Sequence, residues 1–221
     1  MRRDPCVGPG HPAARRTHTG FRHAALQNGR VSNPLDAITW PRRTDRLILR
    51  RTTAGDVDRI GDIRAIDGVS NWLTTDASDR SRFGEHFRRP ERMATSIVVE
   101  LDGAVIGDLT FKPENAWAQA EVADDAEGVQ AEIGWVLDPT HAGHGYATEA
   151  VHDLLRMGFE EIGVRRIVAN CFADNEASWR LMERVGMRRE VHTRSESLHR
   201  SGRWLDGYGY AILADEWRRA R

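Results

Sequence analysis

The sequence predicts an α/β (α+β) fold, with about seven strands in one sheet and about four helices around it. Apolar runs of strand length recur at 47–49, 96–101, 105–111, 131–137 and 166–172, and two closing strands are read near 188–198 and 203–213. Runs with helical spacing lie among them, at 56–66, 78–88, 147–162 and 176–185, so strands and helices belong to one layered unit. At 221 residues, 40% of them hydrophobic, the chain fills one core and would be cramped as two.

Residues 1–43 mix Gly, Pro, His, Arg and Asn with no sustained period, which predicts a flexible basic N-terminal arm ahead of a folded domain over 44–221. The arm carries eight arginines against Asp4 and Asp36, a balance of +6; with −1 overall, the remainder carries −7. An acidic body argues against nucleic acid as a partner and toward cationic small molecules or basic peptides. No apolar run reaches the roughly 20 residues of a membrane helix and no compact apolar stretch marks a secretory signal, so the expectation is a cytoplasmic protein with no membrane partner. Cys6 and Cys171 form neither a disulfide framework nor a metal-ligand spacing.

From Thr44 the pattern is regular. Leu47, Ile48 and Leu49 open the first strand, and Val57, Ile60 and Ile63 mark one face of a short helix. A second helix is expected between Ser78 and Arg88. The strands at 96–101 and 105–111 flank Asp102-Gly103, a two-residue hairpin turn, and are therefore antiparallel. Residues 113–130 are polar, with Glu114, Glu121, Asp124, Asp125 and Glu127, and predict an acidic loop bordering the acceptor side of the sheet. After the strand at 131–137 comes a glycine-rich turn, then a helix with Ala147, Ala150, Val151, Leu154, Leu155, Phe159 and Ile162 in helical register. A strand at 166–172, a helix stopped by Gly186 and two closing strands complete the chain.

The sharpest motif is His141-Ala142-Gly143-His144-Gly145-Tyr146-Ala147-Thr148, between a strand and an amphipathic helix. Glycines let the backbone turn tightly and aim successive N–H groups at a ligand, and the helix start adds unpaired donors and partial positive charge, a setting for a pyrophosphate. Gly143-x-Gly145 supplies two glycines of a dinucleotide fingerprint, but Thr148 stands at the third position and the loop follows an antiparallel hairpin. The Lys-Ser/Thr pair of a P-loop is missing. His141, His144 and His152 lack a carboxylate or cysteine at ligand spacing, so no metal is expected.

Glu132-Ile133-Gly134-Trp135, the glycine loop, Asn175-Glu176-Ala177-Ser178, Gly186-Met187 and Gly202-Arg203-Trp204-Leu205-Asp206 together resemble the GNAT acetyltransferase superfamily, in its ribosomal-protein-alanine (RimJ/RimL-like) branch, over roughly Thr44 to Trp217. The pyrophosphate motif of that superfamily falls on Ala142, Gly143, His144, Gly145, Tyr146 and Ala147, with Ala142 departing from its usual Gln or Arg. Because the motif acts through backbone N–H groups, the departure removes a side-chain contact and leaves the cradle.

The resemblance implies the GNAT fold, a mixed, mostly antiparallel sheet splayed at the centre, and acetyl-CoA as co-substrate. It implies cofactor contacts at Val136, Leu137, Ala142 to Thr148 and Asn175, and transfer to a primary amine: a protein N-terminus, an aminoglycoside or another small cationic amine. Glu132 is then the base that deprotonates the amine, and Ser178 the hydroxyl beside the departing sulfur. Each also has a plainer reading, Glu132 as an outward strand residue, Ser178 as a first-turn serine and Asn175 as a helix N-cap. Tyr210 reads as packing and stays outside the catalytic set. The resemblance further allows a homodimer through the closing strands. The competing function is a non-catalytic acyl-CoA sensor or partner-binding module, from which retention of Glu132 and Ser178 distinguishes an enzyme.

Overall fold

A computed structural model of the chain describes residues 33–220, so residues 1–32 of the expected arm lie outside the described residues. The strands β1 (Arg42–Arg43), β2 (Ile48–Arg51), β3 (Ser96–Leu101), β4 (Ala104–Glu114), β5 (Gln130–Leu137), β6 (Arg166–Phe172), β7 (Arg188–Leu198) and β8 (Trp204–Leu213) form one sheet in the order β1-β2-β3-β4-β5-β6-β8-β7. Every neighbouring pair is antiparallel except β5 and β6. The α-helices are α1 (Val57–Ala65), α2 (Asp67–Ser70), α3 (Arg80–Phe87), α4 (Pro90–Ala94), α5 (Tyr146–Arg156), α6 (Glu176–Arg184) and α7 (Ala214–Arg219). The short α2, α4 and α7 and the two-residue β1 exceed the expected counts, because elements of one turn or less leave no period to read. Among the described residues no helix is long and apolar enough to cross a membrane.

Asp102 and Gly103 both take positive φ, 50° and 80°, the geometry that a two-residue hairpin demands of its centre. Alternation along β3 to β5 then sorts side chains to the two faces. One face turns Val98 toward Val57, Ile60, Phe83 and Phe87 of α1 and α3. The other buries Leu49, Ile97, Leu109, Phe111, Ile133 and Ile167 against the apolar stripes of α5 and α6. After α5 the chain makes a π-helical turn at Met157–Ile162 rather than continuing as α-helix. This turn presses Gly158 onto the sheet, where an added methyl would lie 2.7 Å from Ile167 Cδ1 and 3.0 Å from Phe111.

The folded unit starts earlier than the sequence pattern indicates. Leu35 is fully buried, Ile38 is buried, and β1 pairs with β2. Arg42 sends its Nε to Asp153 at 2.6 Å and a second nitrogen to Glu161 at 2.8 Å. Residues 33–43 are therefore packed onto the domain by contacts from far along the chain, which leave no local period in the sequence.

Asp56, in the turn before α1, accepts from both terminal nitrogens of Arg50 at 2.8 Å and from the Thr53 amide and hydroxyl at 2.7 Å. The Arg50 hydrogen bonds hold its carboxyl at a pKa of about 2, with Thr53 helping, against a desolvation effect that raises it. A depressed carboxylate stabilises the fold above its unfolded pKa and loses that contribution as pH falls through the folded value. The lowering corresponds to about 2 kcal/mol at neutral pH. Wild type should therefore melt above Asp56→Asn near pH 5, and the gap should close between about pH 4 and 2. A gap independent of pH over that range would remove the ion pair as its cause.

Candidate active site

The parallel pairing of β5 with β6 lasts for three positions, Gln130, Ala131 and Glu132 against Arg166, Ile167 and Val168. β5 runs on to Leu137 bonded to β4, and β6 runs on to Phe172 bonded to β8, so the edges facing each other beyond Glu132 lack strand partners. Into this fork opens a cavity of about 1360 Å³, larger than the usual small-molecule pocket and suited to a long ligand together with a second reactant.

Glu132 borders the cavity at the last paired position of the fork. One carboxylate oxygen accepts from Asn170 Nδ2 at 3.1 Å, and the other lies 3.8 Å from Lys112 Nζ. Its neighbours are thus a cation and an amide, and its side chain is 37% exposed, open to a substrate or a water.

The glycine loop closes the far end. Asp138 accepts from the Thr140 amide and hydroxyl at 3.0 and 2.6 Å and pairs with Arg59, which fixes the 3-10 turn Pro139–His141. Burial pushes its carboxyl up, but those bonds outweigh it and hold the pKa below the ordinary value. Gly143 and Gly145 both take φ of +81°, and a Cβ at Gly143 would meet nothing within 4 Å, so the first glycine is required by conformation and leaves the space above it open. The first bond into α5 runs from Glu149 N to Gly145 O, leaving the amides of Tyr146, Ala147 and Thr148 without acceptors in the helix.

Of the sequence-predicted residues, Ala142, Gly143, Gly145, Tyr146, Ala147 and Thr148 border the cavity from the loop, and Val136 and Leu137 from β5. Asn175 and Ser178 border it from the start of α6. His144 does not. Its ring stacks on Tyr146 with centroids 5.6 Å apart, and its Nδ1 lies 2.9 Å from the Ala142 carbonyl, so it braces the loop from outside.

Asn175 caps α6 through its oxygen, which accepts from the Ser178 amide at 3.3 Å, so the capping role expected of it holds. The Ser178 hydroxyl neighbours the thiol of Cys171, a half-buried cavity residue on β6; burial pushes that thiol up and the hydroxyl partly opposes it. Tyr210 is buried away from the cavity and donates to Glu183 Oε1 at 2.8 Å. Desolvation, then that acceptor, push its phenol up to about 12, in keeping with a packing role.

Two features escape a sequence reading. Glu149, an acid in the first turn of a helix that presents free amides, is engaged by Arg46 through its backbone amide at 2.9 Å and its Nε at 2.7 Å. Arg46 also donates to the His144 carbonyl at 2.8 Å and lies 4.5 Å over the Tyr146 ring, clamping the loop. An acid that suits the dipole of the helix but would repel a phosphate held at the same amides was the one available signal. The second feature is the sign of the cavity. Eight Arg or Lys side chains border it against four carboxylates, and no residue of 113–131 does. The acidic segment, a 3-10 stretch at Ala120–Ala126, packs with Val129 and Arg165 instead. That corrects the expectation that it borders the acceptor site. Among the described residues no group of His, Cys, Asp or Glu could hold a metal ion.

Comparison with known proteins agrees with this geometry. The profile of the acetyltransferase (GNAT) domain family matches residues 46–188. YnaD of Bacillus subtilis (strain 168), an uncharacterised N-acetyltransferase, is 43% identical over 86 residues, which is 39% of this chain and half of YnaD. A crystal structure of a GNAT-family acetyltransferase from Bacillus anthracis superposes with a TM-score of 0.62 at 28% identity, covering 78% of this chain and 98% of that one. RimL, a ribosomal L7/L12 alpha-N-protein acetyltransferase solved with coenzyme A, superposes with a TM-score of 0.63 over 78% of this chain and 97% of its own. At 18% identity, that likeness is one of fold.

Proposed function

The chain belongs to the GNAT acetyltransferase family and is an N-acetyltransferase, and on that premise we propose that it moves the acetyl group of acetyl-CoA directly onto a primary amine in the cytoplasm, with Glu132 as the base. The observation that carries the reading is the fork: the sheet parts at the residue that presents a solvent-reachable carboxylate, and the unpaired amides of α5 stand at the other end of the same cavity.

The residues fit the co-substrate. The amides of Tyr146, Ala147 and Thr148, with the open space over Gly143, accept a pyrophosphate. Arg43, Arg156, Arg180 and Arg184 border the mouth and complement its remaining negative charge. Acetyl-CoA supplies an activated acyl group on a sulfur leaving group. The unpaired edge of β5 beyond Glu132 offers backbone N–H groups to the oxygen on which charge develops. Glu132, directly or through a water, takes the proton that the amine must lose to attack, and holding both reactants in one cavity supplies the gain from proximity. The Ser178 hydroxyl donates toward the departing sulfur, and Asn175 keeps its Nδ2 for the carbonyls of the cofactor arm while its oxygen caps α6. The RimJ/RimL-like branch stays part of the proposal, supported by the common fold with RimL and by the Asn175 to Ser178 segment. So does a homodimer through the closing strands.

The reading is tested by calorimetric titration of acetyl-CoA and by CoA-thiol release with a panel of amines. Tight binding with amine-dependent release supports it, and binding without release from any amine turns the chain into an acyl-CoA sensor. Gly143→Ala should keep the fold and weaken acetyl-CoA binding about 5- to 30-fold, because a left-handed alanine costs about 1–2 kcal/mol and the loop relaxes away from the cradle. An unchanged Kd in that variant would place the pyrophosphate elsewhere.

A further inference from the structure

The half of the cavity on the α1 side of the sheet contains a cation that, among the described residues, has no carboxylate paired to it. By strand register Asp108, Thr110 and Lys112 of β4 share a face with Val136, Gly134 and Glu132 of β5. Two of the cations there are neutralised. Lys112 pairs with Glu114 at 2.8 Å and lies 3.8 Å from Glu132. Arg64 makes a two-pronged bond to Asp108, Nε at 3.0 Å and a terminal nitrogen at 2.6 Å, which uses both carboxylate oxygens.

Arg92, on α4, also borders the cavity, and among the described residues it has neither a hydrogen-bonding partner for its guanidinium nor an ion pair. It sits in the same pocket as Arg64, the two guanidinium carbons lying 5.0 and 5.7 Å from the centre of the Phe87 ring. Two arginines therefore lie near one carboxylate, and Arg64 takes both of its oxygens. Burial and the charge of Arg64 lower the pKa of Arg92 and Asp108 only partly opposes them, the mark of a cation short of compensation.

We propose that the acceptor is an amine that also carries a carboxylate, and that Arg92 binds that carboxylate while Glu132 receives the proton of the amine. This rests on the acetyl-transfer reading and names its acceptor class. An arginine left without an anion in a half-buried site is a recognition element for a planar oxyanion, which it holds through two parallel N–H bonds. The same charge repels a polyamine or an aminoglycoside, so the one side chain both attracts and excludes. Along β5 the register separates the Asp108 level from Glu132 by four residues, about 13 Å of strand. The two anchors thus address opposite ends of a small bifunctional molecule.

The test measures CoA-thiol release at saturating acetyl-CoA for amino acids, ω-amino acids, their methyl esters and amides, and polyamines. The expected result is a kcat/KM for free acids about 10- to 100-fold above that of matched esters and amides, the worth of a charge-assisted bond. In Arg92→Met that preference collapses toward unity through KM, and Arg92→Lys restores part of it. Should Arg92→Met fail to fold, the acid-to-ester ratio of the wild type decides alone. Equal rates for acids and esters, or a preference for polyamines, overturn the proposal and leave acetyl transfer standing. Failure to bind acetyl-CoA, or no release with any amine, overturns both.

Discussion

Replacing Glu132 with glutamine should lower kcat for amine acetylation by about 10²- to 10⁴-fold, the usual worth of a positioned general base, while acetyl-CoA still binds. The substitution is nearly isosteric, and an amide oxygen can still accept from Asn170 Nδ2, which now reaches the carboxylate at 3.1 Å. What is lost is the proton acceptor. The residual rate should climb with pH as the fraction of acceptor that is already a free amine rises, a dependence steeper than in the wild type. A loss under threefold, or a variant whose pH profile matches the wild type, would mean that bulk water removes the proton and that Glu132 serves the fold.

Asp108→Ala should cost about 3–5 kcal/mol of stability, the cost of breaking a buried pair. Asp108 is 1% exposed and holds buried Arg64 through both of its oxygens. Its removal leaves Arg64 and Arg92, at 5.7 and 5.0 Å from the centre of the Phe87 ring, with no carboxylate paired to either among the described residues. At about 2–4 °C per kcal/mol for a chain of this size, Tm should fall by roughly 6–20 °C. As a control, Asp215→Ala removes an exposed partner of Arg218 and should hardly move it. If the two variants melt alike, the Asp108 pair contributes no more than a surface contact.

Much of this was legible in the sequence because it is written in local periods and in turn chemistry. β6 occupies the run expected of it, and Asp102-Gly103 makes the turn its dipeptide calls for. The glycine loop was legible for the same reason, since positive φ at 143 and 145 is a property of the glycines themselves. What escaped depends on partners distant in sequence. Arg42 and Leu35 looked like arm residues because Asp153, and the Met157–Ile162 turn against which the Leu35 segment packs, are more than 100 positions away. Arg92 reads like any helix arginine until Asp108 is seen to be taken by Arg64. The acidic 113–130 segment misled for a related reason: its composition states a charge, but only the fold says which cavity that charge borders.

The fork that makes the site also leaves a seam in the molecule. Three paired positions join the β1–β5 part of the sheet to the β6–β8 part, whereas β4 and β5 share eight. Along that line the two halves depend on the packing of α5 and α6 rather than on backbone bonds. A ligand seated there bridges them, so its binding energy reappears as resistance to unfolding, about 2.7 kcal/mol at a hundred times Kd. In a cell the folded lifetime of such a protein would follow its supply of co-substrate.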